Sequence, residues 1–242
     1  MIIDLNSLDG LPIELLTRLS NQVELFKSFN SIEELIMHST INSIISDIDK
    51  VCLSNQIIGY HFTNAIPSDF EENGLKIRTG EEIRQDFIRR FFHLFEDDEQ
   101  SEILNIWKES YNPVIRESRD NKVFFNFTLL GLESRDAEDL LKYYGGEQIY
   151  FYLVNGEPSK VKQSIGLKLT RIGEPLIIKS ILNPNKVNTF INQPWGKIAI
   201  STYHRKVNIY GSEVDQDGYI LLSDISDPEK IKIFINRPNI NH

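Results

Sequence analysis

The sequence predicts a mixed α+β fold built on a split antiparallel β-sheet. Helical periodicity fills residues 12–50 and 79–112, and short β-type runs follow one another from Lys122 onward. Between the helical blocks stands one apolar run, Ile57-Ile58-Gly59-Tyr60-His61-Phe62-Thr63, which reads as a short buried strand. The expected organisation is a helical hairpin over residues 1–50 and an α+β domain over 51–242, with a helical insertion at about 79–112. No internal repeat or low-complexity linker interrupts it.

Ile13, Leu16, Leu19, Val23 and Phe26 recur at helical spacing over residues 12–29. Ser31 with Glu34 is a capping box that opens a second helix, expected to run to about Lys50. After the apolar strand, residues 67–74 form a short helix: Pro67 or Ser68 opens it, and Gly74 takes the left-handed exit. Thr79 with Glu82 caps the next helix, whose Phe87, Phe91, Leu94 and Phe95 make an aromatic face for helix-on-helix packing. Asp97-Asp98-Glu99 opens another through Ile103, Leu104, Ile106 and Trp107, ending before Pro113.

Val123-Phe124-Phe125-Asn126-Phe127-Thr128 reads as a strand, and residues 136–144 as a short helix stopped by Gly145-Gly146. Glu147 then opens an apolar, aromatic run to Val154 that reads as a strand. Further strands are expected at 166–169, 175–182, 197–203, 206–210, 219–222 and 231–235.

Composition narrows the function classes. Hydrophobic residues at 40% and charged residues at 25% describe an ordinary globular chain, and no apolar run is long enough to span a bilayer. The N-terminus lacks a basic region followed by a cleavable apolar stretch, so a cytoplasmic protein without membrane partners is expected. A net charge of −9 disfavours indiscriminate nucleic-acid binding, which calls for a basic surface. Cys52 is the sole cysteine, which excludes an intrachain disulfide, and its neighbours Val51 and Leu53 mark it as a buried thiol. The histidines at 38, 61, 93, 204 and 242 are too dispersed for a visible metal cage, so no metal is expected. Walker, dinucleotide-binding glycine, nucleophile-elbow and zincin patterns are all lacking.

Tyr60, His61, Thr63, Ile66, Gly74 and Leu75 form a pattern of their own. A strand ending in His-x-Thr, a short helix and a Gly-Leu exit resembles the first signature of the ADP-ribosyltransferase superfamily, shared by diphtheria-toxin-like transferases, poly-ADP-ribose polymerases and several bacterial toxins. A lone histidine at a strand end ordinarily serves structure, and the spacing of Thr63 and Gly74-Leu75 is what weighs against that here.

The resemblance implies that NAD is the substrate and that the sheet core is of ADP-ribosyltransferase type. It gives His61 a bond to the adenosine-side ribose, Phe62 a backbone contact to the nicotinamide amide, and Thr63 a supporting bond to the histidine. Val123-Phe124-Phe125 with Thr128 is similar to the second signature. Phe125, Tyr143 and Tyr144 are the aromatics expected around the nicotinamide, which a flat cationic ring favours. Arg78, with Arg84, Arg89 and Arg90 behind it, is a candidate for the pyrophosphate.

Cleavage of the nicotinamide–ribose bond passes through an oxocarbenium-like state, so a carboxylate must face the anomeric carbon. Glu147, at the mouth of an apolar run, and Glu213, ahead of the 219–222 strand, both qualify. The segment from Ile225 to Ile231 is similar to the Ile-Pro-Pro-Glu-(Tyr or Lys)-Ile ending of DNA- and protein-modifying members, which speaks for Glu213. Its spacing is too long unless residues 215–218 form a turn. An exposed turn carboxylate is the plain alternative for either.

The expected function is therefore a glycosyl transfer: a cytoplasmic toxin or defence effector moving ADP-ribose from NAD to a macromolecular acceptor, protein or nucleic acid. An NAD glycohydrolase and a catalytically degenerate binding module on the same fold are the alternatives. An inhibitor or antitoxin-like protein is a further expected partner, for which the N-terminal helices offer a surface.

Overall fold

A computed structural model describes residues 1–133, 135–221 and 233–236. The elements run β1 (Ile2–Ile3), α1 (Ile13–Ser20), α2 (Val23–Ser28), α3 (Ile32–Met37), α4 (Ser39–Leu53), β2 (Gln56–Ala65), α5 (Pro67–Asn73), α6 (Gly80–Phe91), α7 (Asp97–Ser110) and α8 (Pro113–Arg119). They continue with β3 (Lys122–Asn126), α9 (Arg135–Lys142), α10 (Glu147–Val154), α11 (Lys160–Leu169), β4 (Glu174–Leu182), β5 (Asn188–Thr189), α12 (Pro194–Val207), β6 (Asp217–Leu221) and β7 (Ile233–Asn236). Helix and strand are thus mixed, as expected, and helix takes 56% of the described residues against 17% for strand.

The strand order is β5-β6-β3-β2-β4-β7, with β1 added beside β2. β2 and β3 are antiparallel, with Tyr60 opposite Asn126, and so are β5 and β6. β1 runs parallel to β2, pairing Ile2 with Gln56, so the sheet is mixed where an antiparallel one was expected.

The chain separates into two compact units. The first comprises Met1–Tyr60, Phe124–Gly131 and Lys179–Ile220. Its centre is the packing of α12 on α4, with α1 and α3 also against α4 and α2 against α12. Gly196 makes the crossing close: a Cβ there would lie 2.1 Å from the Ile45 carbonyl oxygen. Buried Asp49 reaches from α4 to accept the Trp195 and Gly196 amides at 3.1 and 3.3 Å, capping the start of α12. Trp195 packs edge-on to Phe127, and Phe26 to Tyr203.

The second unit comprises His61–Val123, Leu132–Ile178 and Leu221–His242. Its core joins Phe87, Phe95, Ile103, Trp107 and Tyr111 to Tyr144, Ile149, Tyr150, Leu153, Ile165 and Leu169. This is the expected helix-on-helix aromatic core, except that Leu94 and Leu104 face outward. The capping box of α6 forms as read, with Thr79 and Glu82 capping reciprocally, whereas α3 shows one half of its box, Ser31 Oγ accepting the Glu34 amide.

The long helices expected over 12–29 and 31–50 are each divided, at Asn21-Gln22 and at His38. Four expected strands are helical instead. Residues 147–154 form α10, 166–169 end α11, 197–203 lie inside α12, and 206–210 are its last turn and exit. The physical reason is burial. In α12, Ile198, Ala199, Ile200, Ser201, Thr202 and His204 are all buried, so the run lacks the polar face that would reveal a helical period. In α10, Ile149, Tyr150 and Leu153 pack inward while Phe151 stays 38% exposed, a helical pattern masked in sequence by β-favouring residue types. The strands expected at 219–222 and 231–235 are met by β6 and β7. Leu222, Ile231, Lys232 and the segment from Ile225 to Ile231 lie outside the described residues.

Candidate functional site

β2 carries the signature, and its alternation sorts the signature by face. Tyr60 and Asn64 lie on one face with Phe62, and His61 and Thr63 on the other. Tyr60 is committed to structure: its hydroxyl donates to both Asp4 carboxylate oxygens at 2.7 and 2.8 Å, and Lys179 Nζ donates to the same carboxylate at 2.9 Å. Burial, and then the Asp4 carboxylate, push the Tyr60 hydroxyl pKa upward. His61 is half-buried, while Phe62 and Thr63 are buried.

Asn64 fixes what lies beside the signature in the second unit. Its Nδ2 donates to the Leu141 and Lys142 carbonyls at 3.1 and 3.2 Å, satisfying acceptors at the C-terminus of α9. Its backbone carbonyl accepts the Gly145 amide at 3.0 Å, and Asn64 and Tyr144 form a parallel bridge. The chain then turns through Gly145 and Gly146, at φ of 85° and 68°, a region open to glycine at little cost. Glu147 follows as the first residue of α10.

Side chains from the helical insertion hold the start of α10 residue by residue. Tyr111 donates its hydroxyl to the Glu147 carbonyl at 2.7 Å, Arg84 Nη1 donates to Gln148 Oε1 at 2.9 Å, and Trp107 Nε1 donates to the Ile149 carbonyl at 3.2 Å. Arg84, itself buried, stacks 4.2 Å above the Tyr111 ring and also meets Glu81 at 3.2 Å. Arg119, the last residue of α8, forms an ion pair with the Glu147 carboxylate. Burial pushes that carboxyl above the usual carboxylate range. Arg119 opposes the shift, and the charge of Asp136 adds to it.

The aromatic candidates divide. Tyr144 packs edge-on to Phe91 at 4.9 Å, and burial raises its hydroxyl pKa to about 12. Tyr143 is half-buried, 5.4 Å from the Tyr150 ring, with Lys142 Nζ 5.1 Å from its centroid. Phe125 belongs to the first unit and is 1% exposed, set against Gly59, so its ring serves the core there.

Arg78 lines an open depression with Glu82, Gln85, Asp86 and Arg89. Asp86 gathers the nearby cations: Arg78 at 3.6 Å, Arg90 at 3.5 Å, and Arg89 in a closer pair. Arg90 is held further by Asp69 at 2.7 Å.

Glu213 lies in the first unit, outside any strand or helix. Its carboxylate stands 3.0 Å from Arg205 Nε and accepts Gln216 Nε2 at 3.0 Å. Among the described residues, no cluster of three or more His, Cys, Asp or Glu side chains is arranged to hold a metal.

The residues that sequence reasoning passed over are Asn64, Tyr111, Gln148 and Arg119. Asn64 carried a signal, a polar residue continuing the strand just past His-x-Thr. Tyr111 and Arg119 touch Glu147 only through tertiary packing, as Arg84 does Gln148, which leaves no local pattern. Comparison with protein-family models, curated proteins and solved structures finds no match to this chain.

Proposed function

We propose that the chain is an NAD-using ADP-ribosyltransferase with a sheet core of that family's type, acting in the cytoplasm as a toxin or defence effector on a macromolecular acceptor. One observation carries the reading. Asn64 ties the segment bearing Tyr143, Tyr144 and Glu147 to the strand that bears His61 and Thr63, so the candidate carboxylate follows directly from a segment bonded to the signature. From Asn64 back to His61 is roughly 10 Å of strand, within the span of a bound dinucleotide.

In this reading His61 and the Phe62 backbone orient NAD, and Thr63 steadies His61. The nicotinamide–ribose bond breaks with its electron pair leaving on nicotinamide. Positive charge grows on the anomeric carbon and ring oxygen, and the Glu147 carboxylate stabilises it. The acceptor's nucleophile closes on that carbon and gives its proton to the Glu147 carboxylate, which passes it to water. Glu147 is preferred over Glu213 because it shares a unit with His61, while Glu213 is held by Arg205 and Gln216. Among the described residues, no helix is long and apolar enough to cross a membrane.

The test is incubation with NAD labelled in each half, following nicotinamide release and label transfer. His61→Ala and Glu147→Ala should each abolish both. No NAD binding at millimolar concentration would sink the reading. Release without transfer would mark a glycohydrolase. A module that binds NAD without turnover is the second reading, favoured by one observation: Arg119 already occupies the Glu147 carboxylate.

A further inference from the structure

Resting on the NAD reading, we propose that Arg119 is a latch on Glu147 that the diphosphate of a dinucleotide opens, so that substrate binding itself unmasks the carboxylate.

Three features of the second unit carry this. Neighbouring guanidinium groups are tied to partners other than the carboxylate: Arg84 to Gln148, Glu81 and the Tyr111 ring, and Arg90 to Asp69 and Asp86. Arg119 instead spans from the end of α8 to Glu147, and its side chain keeps 40% of its surface exposed. Among the described residues it is the cation paired with this carboxylate, and its exposed surface is open to an incoming anion.

The chain after Arg119 is anchored. Asp120 accepts the Gly80 amide at 2.7 Å and donates its own amide to Arg116, and the Asn121 amide donates to the Arg78 carbonyl at 3.3 Å. The loop after Arg119 is therefore held in place while the pair with Glu147 exchanges.

The approach is also open. A Cβ on Gly146 would meet no described residue within 4 Å, which leaves room among them beside the first turn of α10. A partly exposed ion pair is weak. A diphosphate offers guanidinium a matched pair of charge-assisted acceptors. Exchange leaves Glu147 without its counter-charge in a buried setting, where the cation forming at the anomeric carbon becomes the group that replaces Arg119.

The experiment compares two probes by calorimetric titration: ADP-ribose, which has the diphosphate, and nicotinamide riboside, which lacks it. Wild type, Glu147→Gln, Arg119→Gln and Arg119→Lys are used as full-length chains, each checked by circular dichroism. Glu147→Gln should bind ADP-ribose about fivefold tighter, because the competing carboxylate charge is gone. Arg119→Gln should bind it about tenfold weaker, Arg119→Lys should fall between, and neither should weaken nicotinamide riboside.

ADP-ribose affinity in Glu147→Gln within about twofold of wild type overturns the latch and leaves the NAD reading standing. So does loss of ADP-ribose affinity in Arg119→Gln without any gain in Glu147→Gln. Failure of every variant to bind either probe or NAD at millimolar concentration overturns both.

Discussion

Asn64 should be the side chain on which the signature strand and the Tyr144–Glu147 segment depend together. Its Nδ2 bond to the Leu141 carbonyl is buried, and its bond to Lys142 is partly exposed. Asn64→Ala strands the first acceptor, at about 1–3 kcal/mol, and lets the second turn to water at about 0.5–1 kcal/mol. Against this, Asn64 Oδ1 is buried with no partner among the described residues, and the substitution removes that orphan, returning about 1 kcal/mol. The net loss is about 0.5–3 kcal/mol. Asn64→Asp is worse, because a carboxylate oxygen would then face two carbonyls, adding at least about 1 kcal/mol. Urea unfolding measures the global effect. Hydrogen exchange at the Gly145 amide, which donates to the Asn64 carbonyl at 3.0 Å, reads it locally. Exchange there should quicken about tenfold for each 1.4 kcal/mol lost. Nicotinamide release should fall with it if the proposed function holds. Unfolding free energies for both variants within about 0.5 kcal/mol of wild type, with Gly145 protection unchanged, would refute the reasoning.

Three further outcomes are expected. Gly196→Ala should lower stability by about 3 kcal/mol, since its Cβ would meet the Ile45 backbone, which cannot move aside like a side chain; scanning calorimetry should show a lower Tm, and an unchanged one refutes the close crossing. Burial raises the Asp49 pKa above its usual 3.8 despite bonds from Gly196 and Trp195 and the charge of Lys197, so its folded pKa exceeds its unfolded one. The folded state then holds the proton more tightly, and this group's stability is fullest below 3.8 and lost as pH rises through the folded pKa. Relative to Asp49→Asn, wild type should therefore gain stability on acidification from pH ~7 to ~4 in urea titrations, and a relative loss would contradict the sign. Burial, with a smaller contribution from the Asp49 charge, pushes the Cys52 thiol up to about 12, so a disulfide reagent should label it only as the first unit opens; immediate stoichiometric labelling would contradict its burial.

The first half of the fold was legible because its signals are local. Ser31, Thr79 and Pro67 mark helix starts that form as read, and Gly74 ends α5 with a positive φ of 65°, though its ψ of −171° is extended where a left-handed helical exit was expected. These residues act on their own backbone, so the chain alone discloses them. The second half was not, because α12 is buried around most of its circumference and α10 is built of residue types that favour strands. Residues such as Ile149-Tyr150-Phe151-Tyr152 favour strands when half exposed. Here the packing of α10 on α6, α7 and α11 decides otherwise.

Glu147 shows how a site residue can be found for an incomplete reason. The sequence singled it out as a carboxylate at the mouth of a strand. It stands instead at the first position of a helix, after two glycines with positive φ. That position has its own logic: the first turn of a helix favours a negative charge, and Arg119 adds to the preference. Burial works the other way and prevails, leaving the carboxyl harder to ionise than usual. A carboxylate so balanced gains from any positive charge brought to it. The reaction proposed here would create one at the anomeric carbon, at the moment when Arg119 has turned to the diphosphate.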